Sequence, residues 1–158
     1  MEIKTNEERK TKEVQTLNLD GVKPNKEKKC SDIVQWEYVQ RLDQFEDAKS
    51  FFEKNKKDKL DHQNSDQYDC YEDFFEYVNQ SGLCFDRVEA GTFKDQRAGY
   101  WRWQLSWGGP SQEFRLFDNG DLEFWHLDWF DGACVQVKDE IFENIMANFK
   151  DLSGDACQ

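Results

Sequence analysis

His126, Glu113 and Ser106 are the residues of this chain whose types and spacing could support acid–base chemistry. In the antiparallel sheet predicted below, Glu113 lies directly opposite His126, and Ser106 lies one strand further on. A carboxylate beside an imidazole orients the ring and raises its pKa. The alternative is a cross-strand charge pair on a half-exposed sheet face. We favour that alternative and expect no enzyme, because no GxSxG motif surrounds Ser106.

Eight carboxylates form a second candidate site, at which charge itself would be the function. Four lie on one face of a predicted helix and four lie near predicted turns: Asp69, Glu72, Asp73 and Glu76, then Asp118, Asp121, Asp128 and Asp131. Same-face neighbours on helices and strands are about 5–7 Å apart, close to the spacing of phosphates along a nucleic-acid strand. These carboxylates could therefore imitate nucleic acid toward a protein that binds it. An ordinary solvated surface is the alternative.

The net charge of −12 is concentrated in the C-terminal part of the chain. Residues 63–158 have 7 basic and 19 acidic side chains, whereas the charges over residues 1–62 balance each other. A surface of this kind repels nucleic acid and anionic lipid and steers the protein toward basic protein surfaces. We therefore expect a basic protein partner, with no direct nucleic-acid contact and no membrane contact.

The cysteines and the aspartates indicate no metal site. The five cysteines form no CxxC pair, and the aspartates lack the spacing of a calcium-binding loop. We expect neither a metal nor a cofactor. With no signal peptide and no run of 18 apolar residues visible, free thiols fit a reducing cytoplasm.

The segment 99–132 predicts a three-stranded antiparallel meander that positions these side chains. Asn119–Gly120 is typical of a type I′ turn, which places Phe114 opposite Trp125 and Glu113 opposite His126. One face would then be apolar and form the core: Trp101, Trp103, Leu105, Trp107, Phe114, Leu116, Trp125, Leu127 and Trp129. The other face would carry Arg102, Gln104, Ser106, Glu113, Arg115, Phe117, Leu122, Phe124 and His126. Within it, Arg102, Gln104, Glu113, Arg115 and His126 form a further candidate site.

Helices and more strands complete the predicted fold. Apolar spacing predicts a helix within 31–60, followed by a charged linker, and further helices over about 67–79 and after Asp139. Strands are expected over 83–89 and 133–137. We predict an α+β fold with four to five antiparallel strands packed against two or three helices. Residues 1–30 would be a disordered or weakly ordered leader, and 63–155 the compact acidic domain.

Two segments, SWGGPSQEFRLF and LEFWHLDWFDGACVQV, resemble a family of small acidic proteins that phages and plasmids carry. The pattern LSWGGPS-x-EFR is matched by residues 105–115, and LDWFDGA by residues 127–133. The resemblance extends from about Tyr71 to the last helix, with Ala90 where a proline is expected. Some small acidic proteins of this type are anti-CRISPR inhibitors, so the resemblance implies an anti-defence activity in the bacterial host cytoplasm. It implies no catalytic residues.

Taken together, these features predict an inhibitor from a mobile genetic element. It would bind a CRISPR effector complex, or another nucleic-acid-handling defence enzyme, through the eight carboxylates and block its nucleic-acid site. Tryptophan or phenylalanine residues at the rim would add binding energy. An immunity or antitoxin-type protein that neutralises a basic toxin is the main alternative. A small enzyme built on Glu113 and His126 is a further one, and the oligomeric state stays open.

Overall fold

A computed structural model describes residues 3–5, 29–55, 67–94 and 96–155. The helices are α1 (Cys30–Asn55), α2 (Phe74–Ser81) and α3 (Glu140–Asp155). The strands are β1 (Ile3–Thr5), β2 (Cys84–Val88), β3 (Tyr100–Ser106), β4 (Ser111–Phe117), β5 (Leu122–Asp128) and β6 (Asp131–Gln136). They form one antiparallel sheet in the order β1-β6-β5-β4-β3-β2. The predicted α+β fold class is confirmed.

The helices pack on one side of the sheet and form the main core with it. From α1, the side chains of Val34, Tyr38 and Phe45 are fully buried in this core. The ring of Tyr38 lies 5.6 Å from that of Phe124 in β5, measured between centroids. Helix α1 therefore belongs to the same core as the sheet, N-terminal to the 63–155 range predicted for the compact domain. The sequence predicts a domain boundary at the charged linker, because the linker separates α1 from the sheet along the chain, although the two are packed together in space.

The leader predicted over residues 1–30 contributes an edge strand. The backbone of β1 pairs with β6, with Ile3 opposite Val135 and Thr5 opposite Ala133. Three residues are too few for period-2 alternation to be visible in the sequence. Residues 6–28 of the leader and 56–66 of the linker lie outside the described residues.

The hairpin between β4 and β5 differs from the predicted type I′ turn. Only Gly120 has a positive φ, of 89°, and Asn119 does not. The backbone N–H of Phe117 donates to Asp121 O at 2.9 Å, which leaves three residues in the loop. This is the three-residue turn that ends in a left-handed glycine. Leu116 therefore lies opposite Leu122 instead of Glu123, and the predicted register is wrong by one residue.

The one-residue difference exchanges the two faces of β5, because successive strand residues point to opposite sides. Phe124 and Leu122 lie in the core beneath the helices, whereas Trp125 lies in a second buried cluster on the other side of the sheet. The β3–β4 pairing keeps the predicted sorting, with Trp103 and Phe114 together in the main core. A bulge between Gln104 and Ser106 then turns Ser106 toward the face of Gln112, where its hydroxyl accepts from Gln112 N at 3.0 Å. Ser106 is therefore not on the predicted polar face.

Helix α2 is shorter than the predicted helix over 67–79. Residues 67–70 form a turn, and the helix begins at Phe74 after Asp73, whose side chain accepts from Glu76 N at 2.8 Å. Aspartate is among the best N-cap residues, because its carboxylate satisfies a backbone N–H that the first turn leaves unpaired. Asp73 therefore makes the helix begin later than the apolar pattern alone predicts.

Candidate functional site

The side of the sheet away from the helices carries two cross-strand rows of polar and buried side chains. Paired residues run from β2 to β6 in each row: Asp86, Arg102, Arg115, Glu123 and Gln136 in the first, and Cys84, Gln104, Glu113, Trp125 and Cys134 in the second. Of the further candidate site, Arg102, Gln104, Glu113 and Arg115 thus lie together. His126 lies on the opposite face, and Glu123, which sequence analysis missed, lies in this group.

Arg115 is the centre of the polar rows and is closed to solvent. Its guanidinium lies 4.3 Å from the ring centroid of Trp125 and 4.9 Å from that of Tyr100, and its side chain is 1% exposed. Its Nε and Nη2 both donate to Glu113 Oε1, which is itself buried. A buried ion pair packed between aromatic rings can hold strands in register. Because the side chains of Arg115 and Glu113 are both closed to solvent, we assign this cluster a structural role.

Arg102 extends the ion cluster to the edge strand β2. Its Nε and Nη2 donate to the two carboxylate oxygens of Asp86 at 2.9 and 2.7 Å. The two hydrogen bonds that Arg102 donates to Asp86 are the main cause of a raised pKa of Arg102. The guanidinium therefore stays charged, and neither arginine can act as a base.

His126 lies between the sheet and α1, on the helix side. Its Nδ1 is 3.4 Å from the side-chain nitrogen of Gln112, which also donates to Glu37 Oε2 at 2.7 Å. Arg41 Nε donates to the amide oxygen of the same glutamine at 2.8 Å. Burial lowers the pKa of His126, so the ring is neutral near pH 7. The predicted Glu113–His126 pair does not form, because the sheet separates the two side chains.

The carboxylates predicted near α2 are partly used for local structure. Asp73 caps the helix, and Glu76 Oε2 accepts from the backbone N–H of Glu72 at 2.6 Å. Asp69, Glu72 and Asp73 are exposed, whereas Glu76 is half-buried. Two of the four side chains thus satisfy backbone donors at the start of a helix, and their type and spacing have a structural cause.

The four aspartates predicted near the turns lie at two opposite ends of the sheet. Asp118 and Asp121 flank the β4–β5 turn, and Asp128 and Asp131 flank the β5–β6 turn, about 20 Å away along the seven residues of β5. Asp118 accepts from Arg87 Nη1 and Nη2 at 2.7 and 2.8 Å, and these bonds lower its pKa. The eight carboxylates are therefore not one continuous surface.

The end of the sheet beside Asp128 carries the most exposed tryptophans of the described residues. We call it the loop edge and define it as the β3–β4 loop, 107–110, together with the β5–β6 turn, 128–131. Trp107 is 77% exposed, Trp129 is 78% exposed and Phe130 is 39% exposed. Both tryptophans were predicted to lie in the core, and both predictions are wrong. Each lies just beyond a strand end, where alternation no longer governs its direction.

The two loops touch at Gly109. A Cβ atom at this position would lie 3.0 Å from Trp129 Nε1 and 3.3 Å from Asp128 Oδ1. Glycine therefore allows an indole and a carboxylate to approach the neighbouring loop together. The peptide bond between Gly109 and Pro110 is cis.

Trp129 has a strained backbone as well as an exposed side chain. Asp128 lies opposite Asp131, so Trp129 and Phe130 form a two-residue turn. Trp129 has a φ of 43°, and it is the one residue other than glycine with a positive φ in the part of the chain that the structure describes. Glycine or asparagine normally occupies such a turn position, and a bulky residue there costs about 1–3 kcal/mol. One sequence signal could have indicated this exposed residue: a large side chain stands between two aspartates at the end of a strand, where a turn is expected.

The described residues hold neither a metal site nor a membrane-spanning helix. Within these ranges, no three side chains among His, Cys, Asp and Glu are arranged to hold a metal ion. The described helices are all too short or too polar to cross a membrane. Comparisons of the chain with protein-family models, with curated proteins and with solved structures found no match.

Proposed function

We propose that this protein is an anti-defence inhibitor, of the anti-CRISPR type, that binds a nucleic-acid-handling effector through the loop edge. The observation that carries the proposal is Trp129, a tryptophan that is 78% exposed and held in a left-handed backbone conformation. Folding explains neither property, because the positive φ raises the free energy of the folded chain and the exposed indole gains little from burial. Binding to another protein would explain why a tryptophan stands there.

The composition of the loop edge supports a protein partner. Tryptophan is enriched among the residues that dominate protein–protein binding energies. Such residues lie near the centre of an interface, from which water is excluded. Trp107 and Trp129 present two indoles from adjoining loops, and Phe130 adds a half-exposed ring. The part of the chain that contains them carries the whole net charge of −12. Such a surface suits a partner with a basic face.

The resemblance supports the anti-defence class. The two motifs that carry it, at 105–115 and 127–133, contain the β3–β4 loop and the β5–β6 turn, and these meet at Gly109. A family defined by these motifs would therefore share the loop edge. The proposed mechanism is occupation of a basic groove by the loop edge, which excludes DNA or guide RNA from the effector. The proposal narrows the contact to Asp128 and the aromatic residues, and it leaves Asp118 and Asp121 outside it.

The test uses purified, guide-loaded CRISPR effector nucleases from bacterial hosts and measures target DNA cleavage with increasing amounts of the full chain. We expect one effector class to be inhibited, with affinity that falls steeply as salt is raised from 50 to 500 mM, roughly a Debye length of 14 Å against 4 Å. Trp129→Asn should abolish inhibition. Trp36→Gln, which removes an exposed tryptophan from α1, and Asp151→Asn, which removes an exposed carboxylate from α3, are the matched controls.

Two results would contradict the proposal. If Trp129→Asn leaves inhibition unchanged, the loop edge is not the surface that binds the effector. If inhibition is independent of salt, the bound site of the effector is not a basic groove. If no effector is inhibited and the chain instead forms a complex with a basic toxin encoded beside it, the antitoxin alternative holds. Both functions use the same charge complementarity, so the identity of the bound protein distinguishes them.

A further inference from the structure

The geometry points to an arginine side chain of the partner as the group that the loop edge recognises, bound between the Trp129 indole and the Asp128 carboxylate. This inference rests on the proposed function, since it names the chemistry of the partner at the same surface. It commits to a guanidinium for three reasons: the juxtaposition of the two side chains, the available hydrogen-bonding capacity of Asp128, and the shape of the group they would hold.

The juxtaposition is set by Gly109. Trp129 Nε1 and Asp128 Oδ1 both lie within 3.3 Å of the point where a Cβ of residue 109 would stand. An exposed indole and a carboxylate thus lie beside the same glycine, and both come from the turn between β5 and β6. A cation placed over the indole face would be within reach of the carboxylate.

The Asp128 carboxylate is free to accept hydrogen bonds from a partner, whereas both oxygens of Asp131 already accept one. Asp131 accepts from Cys30 N at 2.7 Å through Oδ2 and from Gly132 N at 3.0 Å through Oδ1. The Asp128 carboxylate accepts no hydrogen bond from any group in the described part of the chain. An ionised carboxylate can accept about four hydrogen bonds, so Asp128 is the acidic side chain of the turn that is open to a partner.

Arginine fits this pair better than lysine. Its guanidinium is planar, stacks on an aromatic face and donates two parallel hydrogen bonds to one carboxylate. The ammonium group of lysine is a compact, strongly hydrated charge and can use only one of these contacts well. The partner face that binds nucleic acid would supply such arginines, because arginine also forms bidentate contacts with phosphate.

The test titrates the ¹⁵N-labelled full chain with N-acetyl-arginine amide and follows the indole N–H signals of its tryptophans. Trp129→Phe identifies the Trp129 signal. We expect a saturable shift of that signal in the millimolar range, about two- to fivefold weaker binding of N-acetyl-lysine amide, and a similar loss in Asp128→Asn. Asp151→Asn should titrate like the unchanged chain.

The inference is overturned if arginine amide produces no saturable shift at Trp129, or if Asp128→Asn and Asp151→Asn titrate alike. These failures are distinct from failure of the proposed function. An effector that the chain inhibits through Trp129, without any response of Trp129 to arginine amide, would retain the function and exclude arginine as the group recognised. A response to arginine amide without inhibition of any effector would retain the site and exclude the function.

Discussion

Asp131 accepts a hydrogen bond of 2.7 Å from the backbone N–H of Cys30, 101 residues away in the chain. Cys30 is the first residue of α1, so the carboxylate from the β5–β6 turn satisfies one of the donors that the first turn leaves unpaired. The negative charge also lies at the positive end of the helix dipole. Burial, and then the nearby Asp131 carboxylate, raise the pKa of the Cys30 thiol to about 12, which keeps it protonated. The contact fixes the loop edge to α1.

Loss of this contact should weaken the fold. We expect Asp131→Ala to lower the free energy of unfolding by about 1–2 kcal/mol, the range found for helix caps, and Asp131→Asn to lower it less, because an amide oxygen still accepts. Urea denaturation followed by circular dichroism measures both. Equal losses for Ala and Asn would show that charge, and not the hydrogen bond, stabilises this end of α1.

Trp129→Asn should stabilise the protein while it removes the proposed binding function. Asparagine tolerates a positive φ, so the substitution relieves strain of about 1 kcal/mol or more, and little packing is lost from a side chain that is 78% exposed. Thermal unfolding of the two chains gives the difference. Trp107→Asn is the control, because Trp107 has no positive φ and should not gain stability. A loss of stability in Trp129→Asn would mean that the indole contributes more to the fold than the backbone strain costs.

His126 should make the stability of the fold depend on pH. Burial lowers its pKa in the folded chain below the value of about 6.5 expected in the unfolded chain. The unfolded state therefore binds a proton first, and the free energy of unfolding should fall as pH drops below about 6.5, by at most about 1.4 kcal/mol per pH unit, until the folded pKa is reached. Three carboxylates near the ring, on Glu37, Asp128 and Asp131, limit the shift because they favour the charged ring.

Urea denaturation at pH values from 5 to 8 measures this dependence. The slope between pH 5 and 6.5 should disappear in His126→Gln and persist in His62→Gln, which removes the other histidine of the chain. A slope that persists in both variants would assign the pH dependence to carboxylates.

The Arg115–Glu113 pair should show strong coupling in a double-mutant cycle. Arg115→Met alone removes the guanidinium that donates to the buried Glu113 carboxylate and leaves it only Arg102 Nε, at 3.7 Å, so we expect a loss of about 3–5 kcal/mol in unfolding free energy. Arg115→Met with Glu113→Leu removes both charges and should lose clearly less than the sum of the single changes, by about 1–3 kcal/mol. The exposed pair of Arg87 and Asp118 is the comparison, with coupling below about 1 kcal/mol. Additive losses at Arg115 and Glu113 would exclude a structural ion pair.

On the polar face, some residues of the candidate site could be predicted from the sequence and others could not. The sequence predicts that four polar residues of β3 and β4 share a face, and they do: Arg102, Gln104, Glu113 and Arg115. Strand alternation is enough to determine this sorting. His126 was assigned to that face and Glu123 was not, and both assignments depended on one turn. Asn119–Gly120 is compatible with two turn types that differ by one loop residue, and the difference reverses every side chain of β5.

The sequence by itself determined the α+β class, the antiparallel meander and the acidic character, since these follow from local spacing, turn residues and composition. The tertiary structure alone decided which side each residue of β5 faces and that α1 belongs to the core. It also decided that Trp107 and Trp129 are exposed instead of lying inside, and that Trp129 approaches Gly109. Strand register and the contact of distant loops depend on packing between segments far apart in the chain. Local residue preferences do not contain that information.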